Sequence, residues 1–132
     1  MEHKPPTVLI AEDNDVVSDF LQDTFRAYGY RTLTAATKEQ VIEHCQREGD
    51  AIRVLIADFR LGKHDGFETA RSLTAMCPEM KVILISGYPL EHLVRAGLLP
   101  ADQQFTFLQK PFLPHELMTV LKPLQKHRVT CA

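Results

Sequence analysis

The sequence predicts an α/β domain built on a doubly wound, five-stranded parallel sheet. Short apolar runs alternate along the chain with longer segments whose apolar residues recur at helical spacing. Three of the short runs are continuously apolar, which is typical of parallel strands that are covered on both faces. The length of 132 residues suits one domain, expected to occupy residues 1–132 with a core over about residues 7–126.

The first elements are a strand over residues 7–11, which stops at an acidic segment, and a helix behind it. Apolar residues at helical spacing define that helix, and Gly29 is expected to end it. Residues 31–35 form a more polar run, which predicts a strand near an edge of the sheet. Thr37 and Gln40 then fit a capping box, so a second helix is expected to begin there.

The second half of the chain repeats the alternation. Residues 54–57 are fully apolar and predict the third strand, and the helix that follows is expected to end before Pro78. Residues 81–85 predict the fourth strand, residues 89–96 a short helix and residues 105–109 the fifth strand. The last helix is indicated by apolar residues at i, i+3, i+4 and i+7, which are Leu117, Val120, Leu121 and Leu124.

Composition excludes several classes of function. The net charge of −2 argues against direct binding of nucleic acid, because phosphate contacts depend on clustered Lys and Arg. No apolar run approaches the ~20 residues of a membrane span, so membrane insertion is not expected. The three cysteines lack metal-ligand spacing, and Cys45 and Cys77 are interpreted as small core residues of a protein from a reducing, cytoplasmic compartment.

Polar residues stand directly after four of the five predicted strands. These residues are Glu12, Asp13, Asp58, Ser86 and Lys110. In a parallel sheet the carboxyl ends of the strands meet at one edge, where such folds bind their ligands. The sequence therefore predicts that these side chains share one pocket.

The chemistry of this pocket favours phosphoryl transfer. Three carboxylates stay ionised together only if cations compensate them, and Lys110 supplies one positive charge. A Mg²⁺ ion suits the rest, because it prefers a few carboxylates together with a carbonyl and waters. Metal and ammonium can neutralise a transferring phosphoryl group, and Asp58, at the end of the central strand, is the natural nucleophile. An acidic loop after the first strand argues against a flavin phosphate site.

The sequence resembles the receiver domains of two-component response regulators, and two of its segments, residues 84–88 and 107–112, are similar to the receivers of hybrid sensor kinases. The motifs are the acidic pair, the segment over residues 58–66, Ser86 and the run Lys110-Pro111-Phe112, and the resemblance extends from Val8 to about Gln125. It implies a flavodoxin-like (βα)5 fold. It also implies a protein that takes a phosphoryl group from a phosphohistidine on a sensor histidine kinase or phosphotransfer protein. Such a protein catalyses its own phosphorylation and dephosphorylation and is not a turnover enzyme.

The resemblance assigns a role to each site residue. Asp58 is the phosphoacceptor, and the implied Mg²⁺ ligands are Asp13, Asp58, the backbone carbonyl of Arg60 and, through a water, Glu12. Ser86 and Lys110 bind phosphoryl oxygens, and Gly87 leaves the phosphoryl face open. Phe107 occupies the position of the family's aromatic switch, whose ring turns inward as the hydroxyl residue moves. Phosphorylation would then alter the surface formed by the fourth helix, fifth strand and fifth helix.

Simpler interpretations and two other functions stay open at this point. Acids after a strand can merely favour a helix N-terminus, Phe107 can be core, and Asp65 and Gly66 are interpreted as a turn and helix entry within a loop over residues 62–66. A receiver-like binding module that is never phosphorylated is one alternative. An aspartyl-phosphate hydrolase is the other, although it needs an acid where Arg60 stands. The sequence gives no indication of the oligomeric state.

Overall fold

The computed structural model describes residues 6–61 and 64–121, and its centre is a parallel sheet in the order β2-β1-β3-β4-β5. The strands are β1 (Thr7–Ala11), β2 (Arg31–Ala35), β3 (Ile52–Asp58), β4 (Lys81–Ser86) and β5 (Thr106–Gln109). The chain order reverses direction across the sheet at β1 and β3, which is the doubly wound arrangement. The predicted fold class is confirmed.

Five helices alternate with the strands and cover both faces of the sheet. They are α1 (Asp15–Ala27), α2 (Lys38–Glu48), α3 (Gly66–Met76), α4 (Leu90–Arg95) and α5, whose described part covers residues 114–121. Helices α1 and α5 pack on one face, and α2, α3 and α4 pack on the other. Right-handed crossovers between parallel strands require this distribution when the winding changes direction at the middle of the sheet.

The central strands are buried on both faces, which explains their continuous apolar runs. All five residues of β1 are buried, and Leu9 belongs to one half of the core while Ile10 belongs to the other. Successive side chains of a strand point to opposite faces, so every residue of such a strand meets a helix layer. The polar strand β2 lies at the edge, as its sequence predicts.

Local capping follows the sequence with one refinement. Gly29 has φ +89°, a backbone conformation that favours glycine, and it lies just beyond the end of α1. The Thr37 hydroxyl accepts a hydrogen bond from the Gln40 N–H at 3.2 Å, as a capping box requires. The Gln40 side chain, however, accepts from the N–H of Ala36 at 2.6 Å rather than from that of Thr37.

Two features differ from the sequence prediction. Part of the expected loop over residues 62–66 is a short strand, His64–Asp65, which pairs with Arg60–Leu61 in a two-residue antiparallel ladder. Strand β5 begins one residue later than expected. Residues 62 and 63 of the expected loop, and Leu124 of the last helix, lie outside the described residues. Among residues 6–61 and 64–121, no helix has both the length and the apolar character needed to cross a bilayer.

Candidate functional site

Three predicted site residues from distant parts of the chain meet at the carboxyl edge of the sheet. The ammonium Nζ of Lys110 lies 2.8 Å from Asp58 Oδ2 and 3.1 Å from Glu12 Oε1. The side chain of Glu12 is fully buried, and those of Asp58 and Lys110 are 14% and 25% exposed. The backbone brings them together because β1, β3 and β5 end at the same edge, and the Lys110 N–H donates to the Ser86 carbonyl at 2.7 Å.

Short backbone hydrogen bonds hold the segment that follows Asp58. The Phe59 N–H donates to the Ile85 carbonyl at 2.7 Å, which extends the β3–β4 pairing beyond Asp58. The Arg60 N–H donates to Asp58 Oδ1 at 3.0 Å, so each carboxylate oxygen of Asp58 already has a donor. The carboxylate is therefore oriented before any ligand binds, which is the kind of preorganisation that phosphoryl transfer depends on.

Gly66 makes this arrangement possible, a contribution that the sequence interpretation as a simple helix entry missed. The Gly66 N–H donates to the Phe59 carbonyl at 2.6 Å, which brings the start of α3 against the Asp58 segment. A Cβ at position 66 would overlap the backbone carbonyl oxygen of Asp58 and lie 3.1 Å from the Phe59 Cα. Only glycine fits here, and the signal in the sequence was the Asp65-Gly66 pair itself.

Gly66→Ala is expected to destabilise the fold by about 1–3 kcal/mol, because the added methyl group must displace rigid backbone. Urea unfolding measures this change. Gly87→Ala is the matched control, since a Cβ at position 87 meets no atom within 4 Å. A Gly66→Ala free energy of unfolding equal to that of the control would show that the close approach is not a constraint.

The three carboxylates form a group with the geometry of a cation site. Glu12, Asp13 and Asp58 each offer one oxygen, and these oxygens all lie within 4.8 Å of one another. The buried Glu12 Oε2 has no hydrogen-bond partner among the described residues. Unpartnered buried oxygen atoms are costly, and a hard divalent cation or its bound water would satisfy this one. The residues present therefore fit Mg²⁺.

Burial and charge set the protonation of this cluster. Burial, together with the hydrogen bond and the negative charge of Asp58, raises the pKa of Glu12 to about 7, and Lys110 only partly offsets this. Burial alone would lower the pKa of Lys110, but the neighbouring carboxylates Asp58 and Glu12 raise it above its ordinary value. The cluster has more negative charge than its one ammonium compensates, so it should attract a cation.

The remaining predicted residues lie around this cluster. Ser86 is buried at the end of β4, where its hydroxyl accepts from the Tyr88 N–H at 3.0 Å. A cavity of about 360 Å³ lies beside Asp58, and its walls include Ser86, Gly87 and the exposed Arg60. Phe107 is half-buried on β5 and packs against the same half of the core as α2, α3 and α4. The site residues thus share one edge of the sheet, with Phe107 beneath it.

Sequence comparisons find receiver domains among known proteins. The sequence model of one protein family, the response regulator receiver domain, matches residues 8–122 of this chain. The chain is 32% identical over 118 residues to the sensor kinase CckA of Brucella abortus, a match that covers 89% of this chain but only 12% of CckA. It is 26% identical over 117 residues to the response regulator receiver protein CpdR of the same organism, covering 89% of this chain and 94% of CpdR.

A solved structure agrees with the fold. A CheY-like response regulator receiver domain protein from Methanospirillum hungatei superposes with a TM-score of 0.79 at 23% identity. The superposition covers 97% of this chain and 99% of that one. At this level of identity the likeness shows the architecture alone.

Proposed function

The chain belongs to the response regulator receiver domain family, and from this premise we propose that Asp58 accepts a phosphoryl group in a Mg²⁺-dependent reaction. The observation that carries the proposal is the contact of 2.8 Å between Lys110 Nζ and Asp58 Oδ2 beside the carboxylates of Glu12 and Asp13. Receiver domains act in signalling. We assign this chain the same kind of output, a change of binding surface and not turnover of a substrate.

The transfer step follows from the groups present. A carboxylate oxygen of Asp58 attacks the phosphorus of a phosphohistidine, the P–N bond breaks, and the imidazole nitrogen leaves and takes a proton from solvent. Bound Mg²⁺ would neutralise charge on the phosphoryl oxygens. Asp13 and Asp58, with the backbone carbonyl of Arg60, would hold the ion, and Glu12 would act through a water ligand. Lys110 already lies at the acceptor and would pair with a phosphoryl oxygen.

The response to phosphorylation would begin at Ser86. Its hydroxyl accepts a hydrogen bond from the Tyr88 N–H, and it would turn to donate to a phosphoryl oxygen. Ser86 pairs with Gln109 at the end of β5, which is the strand that carries Phe107. A movement of Ser86 would therefore shift β5 as well. We assign Phe107 the role of the aromatic switch. A Cβ at position 87 would meet no atom within 4 Å, and Gly87 leaves the approach to Asp58 open. Hydrolysis by water from this open side would return the chain to its resting state.

The donor is a phosphohistidine on a sensor histidine kinase or a phosphotransfer protein. CckA is named as a sensor kinase, and the chain spans only 12% of its length. We propose that residues 1–132 form one receiver domain that works in the cytoplasm. An aspartyl-phosphate hydrolase is disfavoured because Arg60 stands where that chemistry needs an acid.

The chain is expected to gain one phosphoryl group when incubated with acetyl phosphate and Mg²⁺, because a small acyl phosphate needs no protein partner. Intact-mass analysis measures the adduct. A parallel sample with excess EDTA is expected to stay unmodified, since the acidic cluster alone repels the anionic donor. Equal modification in both samples would contradict a Mg²⁺-dependent reaction, and no modification, with a competent control receiver alongside, would favour a module that is not phosphorylated.

A further inference from the structure

The cavity beside Asp58 reaches further than a phosphoryl group needs. Its walls include Asp58 and Ser86 at the carboxyl edge of the sheet, and also Leu93 of α4 and Leu98 of the loop after α4. An apolar cavity of roughly 150 Å³ is enough to hold benzene, and this one has a volume of about 360 Å³. The space beyond the acceptor is therefore large enough for an aromatic ring, and the transfer step described above does not use it.

The wall on the α4 side of the cavity is apolar and aromatic. Leu93 is 1% exposed, and the Leu98 N–H donates to the Leu93 carbonyl at 2.9 Å, which holds the loop against the helix. The Tyr88 ring stacks on the His92 ring, with centroids 5.3 Å apart and planes 17° apart. Tyr88 is 55% exposed and Leu98 is 45% exposed. A bound apolar group would cover surface that solvent now reaches, which favours its binding.

The polar residues of the cavity lie on the side of the acceptor. Asp58 is the only carboxylate among the described residues that line the cavity, and Arg60 brings a guanidinium to the same wall. The Arg60 backbone N–H donates to Asp58 Oδ1 at 3.0 Å, so this cation is carried by a residue directly beside the acceptor. A guanidinium pairs well with a carboxylate. A ligand that matches the cavity therefore has a phosphoryl group, then a carboxyl group, then an apolar ring.

We propose that this cavity selects acyl phosphates with an aromatic acyl group, such as benzoyl phosphate, as small-molecule donors to Asp58. The inference rests on the phosphoacceptor function proposed above and names a substrate class for it. The phosphoryl group would lie at Asp58, the carboxyl group at Arg60, and the ring between the Tyr88–His92 stack and Leu98. Acetyl phosphate has the same reacting groups but leaves the apolar part of the cavity empty.

The transfer from such a donor balances without a further reactant. An Asp58 carboxylate oxygen attacks phosphorus, the P–O bond to the acyl oxygen breaks, and its electron pair leaves with the benzoate ion, so no proton moves. Negative charge develops on the leaving carboxylate, which Arg60 would stabilise more in the transition state than in the bound donor. The ring binds equally in both states. It therefore raises the affinity for the donor and not the maximal rate.

Labelling of the full chain by benzoyl phosphate and by acetyl phosphate, both with Mg²⁺, tests the proposal. The ratio of the two second-order rate constants is compared between variants, because the intrinsic reactivity of each donor then cancels. Leu98→Asn is expected to lower the benzoyl-to-acetyl ratio about fivefold through the lost apolar contact. Leu113→Asn is the matched control, since Leu113 is 58% exposed and does not line the cavity. Arg60→Gln is expected to slow both donors and leave the ratio unchanged, because both release a carboxylate.

Two phosphonates separate a failure of this inference from a failure of the phosphoacceptor function, because a P–C bond transfers nothing. With Mg²⁺ present, phenylphosphonate is expected to bind the wild-type chain more tightly than methylphosphonate and to shift the NMR signals of Leu93 and Leu98. Equal affinities for the two phosphonates would overturn the proposal, and so would an unchanged ratio in Leu98→Asn. Absence of labelling by both donors would overturn the acceptor function itself, and the phosphonates would still decide whether the cavity selects an aromatic group.

Discussion

The Asp58→Asn variant is expected to be labelled by acetyl phosphate at least about 100-fold more slowly than the wild-type chain. An amide oxygen is a poor nucleophile and, unlike the carboxylate, provides no anionic ligand for Mg²⁺. The next carboxylates, Glu12 and Asp13, lie within 4.8 Å of Asp58 and are the only acceptors that the described site offers in its place. Intact-mass analysis over time gives the rate.

This loss is not expected to come from unfolding. The amide oxygen at position 58 can still accept from the Arg60 N–H, which holds the side chain at 3.0 Å in the wild type. Removing the charge relieves its repulsion of the buried Glu12 but also removes its attraction to Lys110, so the two effects oppose each other and the free energy of unfolding should change little. Asp50→Asn is the matched control, because Asp50 precedes β3 at the other end of the strand from Asp58. Full labelling of Asp58→Asn would assign the acceptor to another residue.

The sheet and its ligand edge could be predicted from sequence because both depend on local signals. A run such as residues 8–11 is apolar throughout because helices cover both faces of its strand, and the polar residue that follows marks where the strand leaves the core. Glu12, Asp58 and Lys110 were predicted to meet on this ground alone, although 98 positions separate Glu12 from Lys110. In a parallel sheet the carboxyl ends of all strands lie at the same edge, so the residues that follow the strands come together there.

The features that sequence did not predict depend on contacts between segments. The ladder of Arg60–Leu61 with His64–Asp65 has only two residues on each side, which is too short for a periodic pattern. The need for glycine at position 66 arises from the backbone of Asp58, eight residues earlier.

Replacing Lys110 by methionine is expected to destabilise the fold by about 1–3 kcal/mol at pH 8 without divalent cations. The side chain keeps its apolar stem, but the ammonium that lies 2.8 Å from Asp58 and 3.1 Å from Glu12 is lost. Two carboxylates, one of them fully buried, then face each other uncompensated. Chemical unfolding at two pH values measures the difference from the wild type, and Lys81→Met, at an exposed lysine on β4, is the matched control.

The pH dependence of this loss has a definite sign. The pKa of Glu12 is about 7 in the folded chain against 4.5 as its ordinary value, so the folded chain binds the extra proton and loses stability as pH rises from about 4.5 to 7. Without Lys110 the pKa of Glu12 rises further, and the loss continues to higher pH. The difference in the free energy of unfolding between Lys110→Met and the wild type should therefore be small at pH 5 and large at pH 8.

Two further measurements identify why the free energy of unfolding differs between Lys110→Met and the wild type, a difference called the gap. Saturating Mg²⁺ should narrow it at pH 8, because the ion supplies the positive charge that the variant lacks. Glu12→Gln should narrow it as well, because an uncharged side chain has no need of the ammonium, and the double variant gives the coupling energy of the pair. A gap of equal size at pH 5 and pH 8, unchanged by Glu12→Gln, would mean that Lys110 contributes through packing alone. That result would also argue against an ion pair between Lys110 and the phosphoryl group, because the same ammonium is proposed to stabilise the carboxylates and to bind a phosphoryl oxygen.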